Sequence, residues 1–179
     1  MRQVPQPHPS RITPFAGSDV VVGVTPDQPE VVVLTAASLA QAQGGTLYCA
    51  YVDPARMVEH EFPDGTVRHS DLNPDLADED QWRAREADLT AAIRDLLAGS
   101  PVPWRFRYLA GRPDRALTHL ARAVDAAVIV VGTRRPGASG RWHELLEGAV
   151  GTHLAHHQHR PVLVVPTAVV DWKTPLEWH

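Results

Sequence analysis

Residues 128–165 read VIVVGTRRPGASGRWHELLEGAVGTHLAHHQHRPVLVV, and this stretch decides the fold. A β-branched run, Val128 to Val131, ends in Gly132. Such side chains fit a buried, pleated strand. A polar loop with Arg134, Arg135 and Arg141 follows, and Gly148 opens a helix predicted to run to about His157. A second apolar run, Pro161 to Val165, closes the unit. Strand, loop, helix and strand in that order make a parallel crossover, which is right-handed almost without exception. Helix N-termini carry unpaired N–H groups and a partial positive charge, so the loop is suited to an anion and phosphate is the first candidate.

The same alternation continues upstream. Asp19 to Val24 (DVVVGV) reads as a first strand, Thr46 to Val52 as a second, Trp104 to Leu109 as a third and Ala127 to Gly132 as a fourth. Residues 29–43 are locally ambiguous, because Glu30-Val-Val-Val-Leu34 resembles a strand. The alanine-rich continuation, stopped by Gly44-Gly45, predicts a helix instead, starting at Pro29. In residues 113–124, Leu117, Leu120, Ala121 and Val124 recur at helical spacing. Trp82, Leu89, Ile93 and Leu96 do the same in a helix whose start at Asp78 and Gln81 resembles a capping box. Strands that are apolar throughout and alternate with helices predict an α/β protein with a parallel sheet covered on both faces. Ligands in such sheets sit beyond the carboxyl ends of the strands, where strand order reverses. The loops after the first and fourth strands are therefore the candidates, and Thr25-Pro26-Asp27 is expected to face the loop from Gly132 to Ala149.

Residues 53–78 interrupt this pattern. A Pro63-Asp64-Gly65 turn separates MVEHEF from TVRHS, which predicts a small hairpin. From its place at the carboxyl rim, this segment is either a surface excursion, the ordinary reading of such an insertion, or a lid over the pocket or a filling for it. Residues 1–18, with Pro5, Pro7 and Pro9, read as a flexible arm, and 167–179 as a tail whose Trp172 and Trp178 suit a dimer contact. The 179-residue length suits one domain, here 19–166. A net charge of −4 argues against general nucleic-acid binding. No run approaches the ~20 apolar residues of a membrane span. Cys49 is the single cysteine, so no intrachain disulfide forms, which fits a cytoplasmic location.

VIVVGTR, LLEGAVGTHLAHH and RPVLVV resemble the C-terminal half of universal stress proteins. VVVGV at 20–24, GGTLYCAYV at 44–52 and Gly111-Arg-Pro113 followed by Leu117 are similar to that family's earlier elements, in the same order. The resemblance implies a five-stranded parallel sheet of order 3-2-1-4-5, of the Rossmann-like, adenine nucleotide alpha hydrolase-like type. It also implies a homodimer formed through the last strand and an adenine nucleotide, ATP, as the candidate cofactor, with magnesium or manganese only if ATP binds. ATP-binding members carry a G-x-x-G-(nine residues)-G-(S/T) loop. On that pattern Gly132 matches the first glycine and Gly148 the last, while Arg135 stands where the second belongs unless Gly137 or Gly140 replaces it. The loop is about three residues longer than the pattern, and Ala149 replaces the hydroxyl residue.

The cofactor-binding candidates are thus Val24, Thr25, Asp27 and Val52 at one side, and Gly132, Arg134, Gly137 and Gly140 with Gly148, Ala149 and Val150 at the other. Losing one neutral hydroxyl contact costs about 0.5–1.5 kcal/mol. The arginines offer charge-assisted contacts in exchange, although a solvated surface loop is their ordinary alternative. Glu147, beside the helix start, either sets a carboxylate where phosphate would sit or simply faces solvent. His153 and His157 have a zinc-compatible spacing, but no carboxylate or cysteine completes a set, so no metal site is assigned. Ser139 lacks a recognisable base, so no catalytic residue is assigned. Three functions follow in order: a stress-signalling protein with an ATP pocket, a pocket-degenerate scaffold dimer that binds no ATP, and a weak nucleotide hydrolase.

Overall fold

The centre of the protein is Val20–Val24 (β1), whose Val20, Val21 and Val22 are wholly buried. In the computed structural model, which describes residues 8–72, 79–133 and 149–167, β1 lies between Leu47–Asp53 (β2) and Val128–Gly132 (β6). Trp104–Ala110 (β5) flanks β2, and Val162–Val165 (β7) flanks β6. All four pairings are parallel. Counting only the strands of this sheet, the order is the expected 3-2-1-4-5. Arg56–Glu61 (β3) and Val67–Asp71 (β4) pair antiparallel as a separate two-stranded sheet.

Side-chain alternation along the strands builds one core on each face. Val20, Val22, Val24, Cys49, Tyr51 and Tyr108 meet Val31–Gln43 (α1) and Glu79–Leu96 (α2) on one face. Burial pushes the Cys49 thiol up to about 12, so it stays a small neutral core side chain. On the other face, Val21, Ala50, Leu109, Ile129 and Val131 meet Pro113–Ala123 (α3) and Ala149–His157 (α4).

The ambiguous valine run resolves as helix, beginning at Val31 rather than Pro29. The Pro29 carbonyl accepts from the Val32 N–H at 3.2 Å, so proline sits just ahead of the first turn. Val32, Val33, Ala36, Ala37 and Ala40 are buried while Val31 and Leu34 are exposed, a helical period that a strand would not give. Gly44 ends α1 at φ 73°, a left-handed conformation that costs glycine little. In α2, Ile93 is buried, and Trp82, Leu89 and Leu96 pack against the same cluster, as their spacing predicts. Among the described residues no helix is long and apolar enough to cross a membrane.

The hairpin turns through Pro63-Asp64-Gly65. The Gly65 N–H donates to the Phe62 carbonyl at 3.1 Å, and Asp64 Oδ1 accepts from the Thr66 N–H at 3.0 Å. Its tip rests on α3, where a Cβ on Gly65 (φ 80°) would lie 2.4 Å from Leu120 Cδ1. Its base is clamped. Buried Arg56 donates from Nη1 to Asp71 Oδ2 at 2.9 Å and from Nε to His69 Nδ1 at 2.7 Å, with its guanidinium 5.3 Å from the Trp82 ring centroid. The hairpin thus packs against β5, α2 and α3. That seat lies three strand spacings from β6, roughly 14 Å at ~4.8 Å per strand. The expectation of a lid or plug over Gly132 is therefore dropped: the exposed end of the β5 edge offered the hairpin's apolar residues a surface to cover.

Candidate functional site

From β1 the chain turns toward β2, and from β6 it turns toward β7, so strand order reverses between them. Backbone connections diverge at such a point and leave a crevice beyond the strand ends. Val22 pairs with Val130, and continuing that register sets Gly132 level with Val24. Val24 pairs with Tyr51, so Val52 lies one residue further along the same rim. The side chains of Val24 and Val52 are buried in opposite cores. Only their backbones reach the rim.

Thr25 and Asp27 follow in the first loop. Asp27 has φ 59°, a left-handed conformation that aspartate tolerates better than most residues. This turn sends Gln28 back across the crevice. Its Nε2 donates to the Gly23 carbonyl at 3.3 Å and would lie 3.2 Å from a Cβ on Gly132. The first loop therefore reaches Gly132, but through Gln28 rather than Asp27. Val32 Cγ2 and Thr167 Cγ2 would lie 3.1 and 2.9 Å from the same Cβ, so any side chain at 132 would have to displace them. The Gln28 Oε1 is buried and has no hydrogen-bond partner among the described residues. Beside Gly132, the Thr133 N–H donates to the Val165 carbonyl at 2.8 Å, and the Thr167 hydroxyl donates to the Thr133 carbonyl at 2.8 Å. These bonds hold the chains leaving β6 and β7 together.

Ala149 and Val150 form the first turn of α4, whose early N–H groups have no partner within the helix. A Cβ on Gly151 would lie 3.5 Å from Val164 and 3.8 Å from Val131, so this turn packs on the ends of β6 and β7. Arg134, Gly137, Gly140 and Gly148 lie outside the described residues. The structure therefore brings Val24, Gly132 and the first loop together. Gln28, Val32 and Thr167 are additions that the sequence reading missed, because their approach depends on the turn at Asp27 and on the β6–β7 pairing.

Two polar clusters border the crevice. At the end of β2, buried Asp53 accepts from Tyr108 Oη at 2.5 Å, Arg85 Nη1 at 3.1 Å and the Ala55 N–H at 2.9 Å. These donors offset the cost of burying a carboxylate. Burial and the adjacent Asp53 push the Tyr108 hydroxyl far above its ordinary value, so it remains a donor. At the start of α3, burial pushes the Asp114 carboxyl up, but the Arg112 hydrogen bond and charge outweigh it and hold the group below its usual range. His153 of α4 lies 3.7 Å from the same carboxylate, which ties the two helix starts together. Among the described residues no three His, Cys, Asp or Glu side chains are grouped to hold a metal.

The universal stress protein family model matches residues 18–166. A universal stress protein of Synechocystis sp. is 32% identical over 92 residues, a match spanning 49% of this chain and 81% of the relative. A solved universal stress protein in complex with cAMP is 25% identical, with a TM-score of 0.56 over 86% of this chain and 99% of that one. The universal stress protein UspA from Lactobacillus plantarum superposes with a TM-score of 0.61 at 18% identity, over 84% of this chain and 98% of the other. The order of the five strands, the glycine at the end of β6 and a match along most of the chain agree: this chain belongs to the universal stress protein family.

Proposed function

We propose that the protein is a cytoplasmic stress-signalling dimer that binds an adenine nucleotide, ATP in the first instance, in the crevice between β1 and β6. The observation that carries this reading is the meeting of Gln28 with Gly132 at the strand-order reversal, where one buried amide oxygen has no partner among the described residues. Gln28 offers an acceptor to the ligand and the first turn of α4 offers backbone donors to its phosphates. The cAMP complex of the relative at 25% identity supports the adenine class. Magnesium or manganese accompanies the triphosphate if it binds. The exposed β7 edge, with Leu163 and Val164 outermost, supports dimerisation through that strand.

One observation favours a second reading, the scaffold dimer without nucleotide. Gln28, Val32 and Thr167 already crowd Gly132, so the floor of the crevice is filled by the chain's own side chains. Thermal unfolding with ATP, AMP or cAMP, with and without magnesium, separates the two. A ligand at 100 times its Kd adds about 2.7 kcal/mol to stability. The nucleotide reading expects a clear upward shift for at least one of the three; no shift at millimolar concentration favours the scaffold. Phosphate release from ATP by the purified protein would instead revive the hydrolase.

A further inference from the structure

A second cavity lies on the same carboxyl rim of the sheet but toward the β5 edge, between the hairpin and the first turns of α3, with a volume of about 440 Å³. Small-molecule sites span roughly 300–1,000 Å³. Its walls are mostly apolar, with Met57, Val58 and Leu72 from the hairpin side and Leu109 and Ala116 opposite. Met57 and Leu72 are 47% and 58% exposed, and both front this one cleft. The walls are set in place by other contacts: Arg56 joins the two hairpin strands through Asp71, His69 packs on Trp82 of α2, and the Gly65 tip rests on Leu120.

Charge around the rim is nearly balanced. Arg56 pairs with Asp71 at 2.9 Å and Arg112 with Asp114 at 2.8 Å. Glu61 Oε2 is 3.0 Å from His119 Nδ1, so that carboxylate is engaged as well. Arg115 also lines the cleft, is exposed, and its side chain makes no ion pair or hydrogen bond among the described residues. Among the described residues one guanidinium is therefore uncompensated beside an apolar trough.

We propose that this cleft binds a free monocarboxylate with an apolar chain, of the medium-chain fatty acid class. The chain lies between Met57, Leu72 and Leu109, and the carboxylate takes the two-pronged guanidinium of Arg115. A phosphate dianion is a poorer match, because Glu61 and Asp114 stand near the same rim and only one cation is unpaired. The cleft's lining shares no residue with the Gln28, Val32, Gly132 and Thr167 cluster of the β1–β6 crevice, so it stands or falls independently of nucleotide binding.

Calorimetric titration of the full chain with sodium decanoate, below its micelle-forming concentration, tests this. Saturable binding at one site per chain is expected, with a negative heat-capacity change from apolar burial. Arg115→Leu and Leu72→Asp should each weaken it at least tenfold, as should replacing decanoate by decanol. Both side chains are exposed, and circular dichroism checks that the variants fold; if Leu72→Asp does not, Arg115→Leu decides alone. ATP should not compete. Absence of saturable binding, equal affinity in Arg115→Leu, or displacement by ATP would overturn the proposal.

Discussion

At one edge of the sheet a hairpin packs against β5, whereas at the other Leu163 and Val164 of β7 stand 37% and 46% exposed. An open strand edge presents unpaired N–H and C=O groups and invites another strand. On the β5 side, ring contacts seat the hairpin: His69 lies 5.4 Å from the Tyr108 ring of β5 and meets Trp82 of α2 edge-on at 4.8 Å. Nothing comparable covers β7 among the described residues. The contrast separates the two edges: the hairpin packs at one, and the other is the edge on which the proposed dimer rests.

The largest effect should come from attacking the open edge. Val164→Asp puts a charge in the proposed dimer seam and should abolish dimerisation in sedimentation equilibrium, leaving a species near the chain mass of 19.6 kDa. A variant that stays dimeric would remove the functional half of the comparison. Next is the closed edge. Arg56→Ala strands Asp71 and should cost about 3 kcal/mol or more in urea unfolding, because removing one member of a buried pair is expensive. A loss below about 1 kcal/mol, the level of an exposed pair, would mean the hairpin is not clamped at its base. Gly65→Ala tests the tip. It demands a left-handed alanine and a displaced Leu120, with an expected loss of about 2 kcal/mol.

The smallest effect concerns pH. Asp114 is held below its usual range in the folded protein, so its stabilisation is present above the unfolded value of about 3.9 and is lost as pH falls through the folded one. Arg112→Leu should lower stability by a few tenths of a kcal/mol at pH 7, since Arg112 is half exposed, and the difference should vanish below both values. Urea midpoints measured down the acid range check the sign; a difference that grows toward low pH contradicts it.

The sheet was legible because β1, β6 and β7 are valine-rich runs, the second and third strands are short apolar or alternating segments, and Gly44-Gly45 marked the valine-rich segment before it as helix. The Pro-Asp-Gly turn announced the hairpin. Its seat was not readable, since Arg56, His69, Trp82 and Tyr108 meet only after β5 has crossed to the far side of β2. In a period-based reading Arg56 looks like a surface cation, and its partner Asp71 lies fifteen positions away. At the crevice, Gly132 was legible from its place after four apolar residues. Gln28 was not, because its reach to Gly23 requires the left-handed turn at Asp27, and nothing in the residue types imposes that turn.

The claim that matters most is nucleotide binding at the β1–β6 crevice, and Gln28 addresses it directly. Calorimetric titration of ATP with magnesium should be run on the native chain and on Gln28→Glu, a near-isosteric change that sets a negative charge beside Gly132. The account predicts one ATP per chain and at least tenfold weaker binding in the variant, with both proteins folded by circular dichroism. No heat of binding in the native chain, or equal affinity in the two, would contradict it.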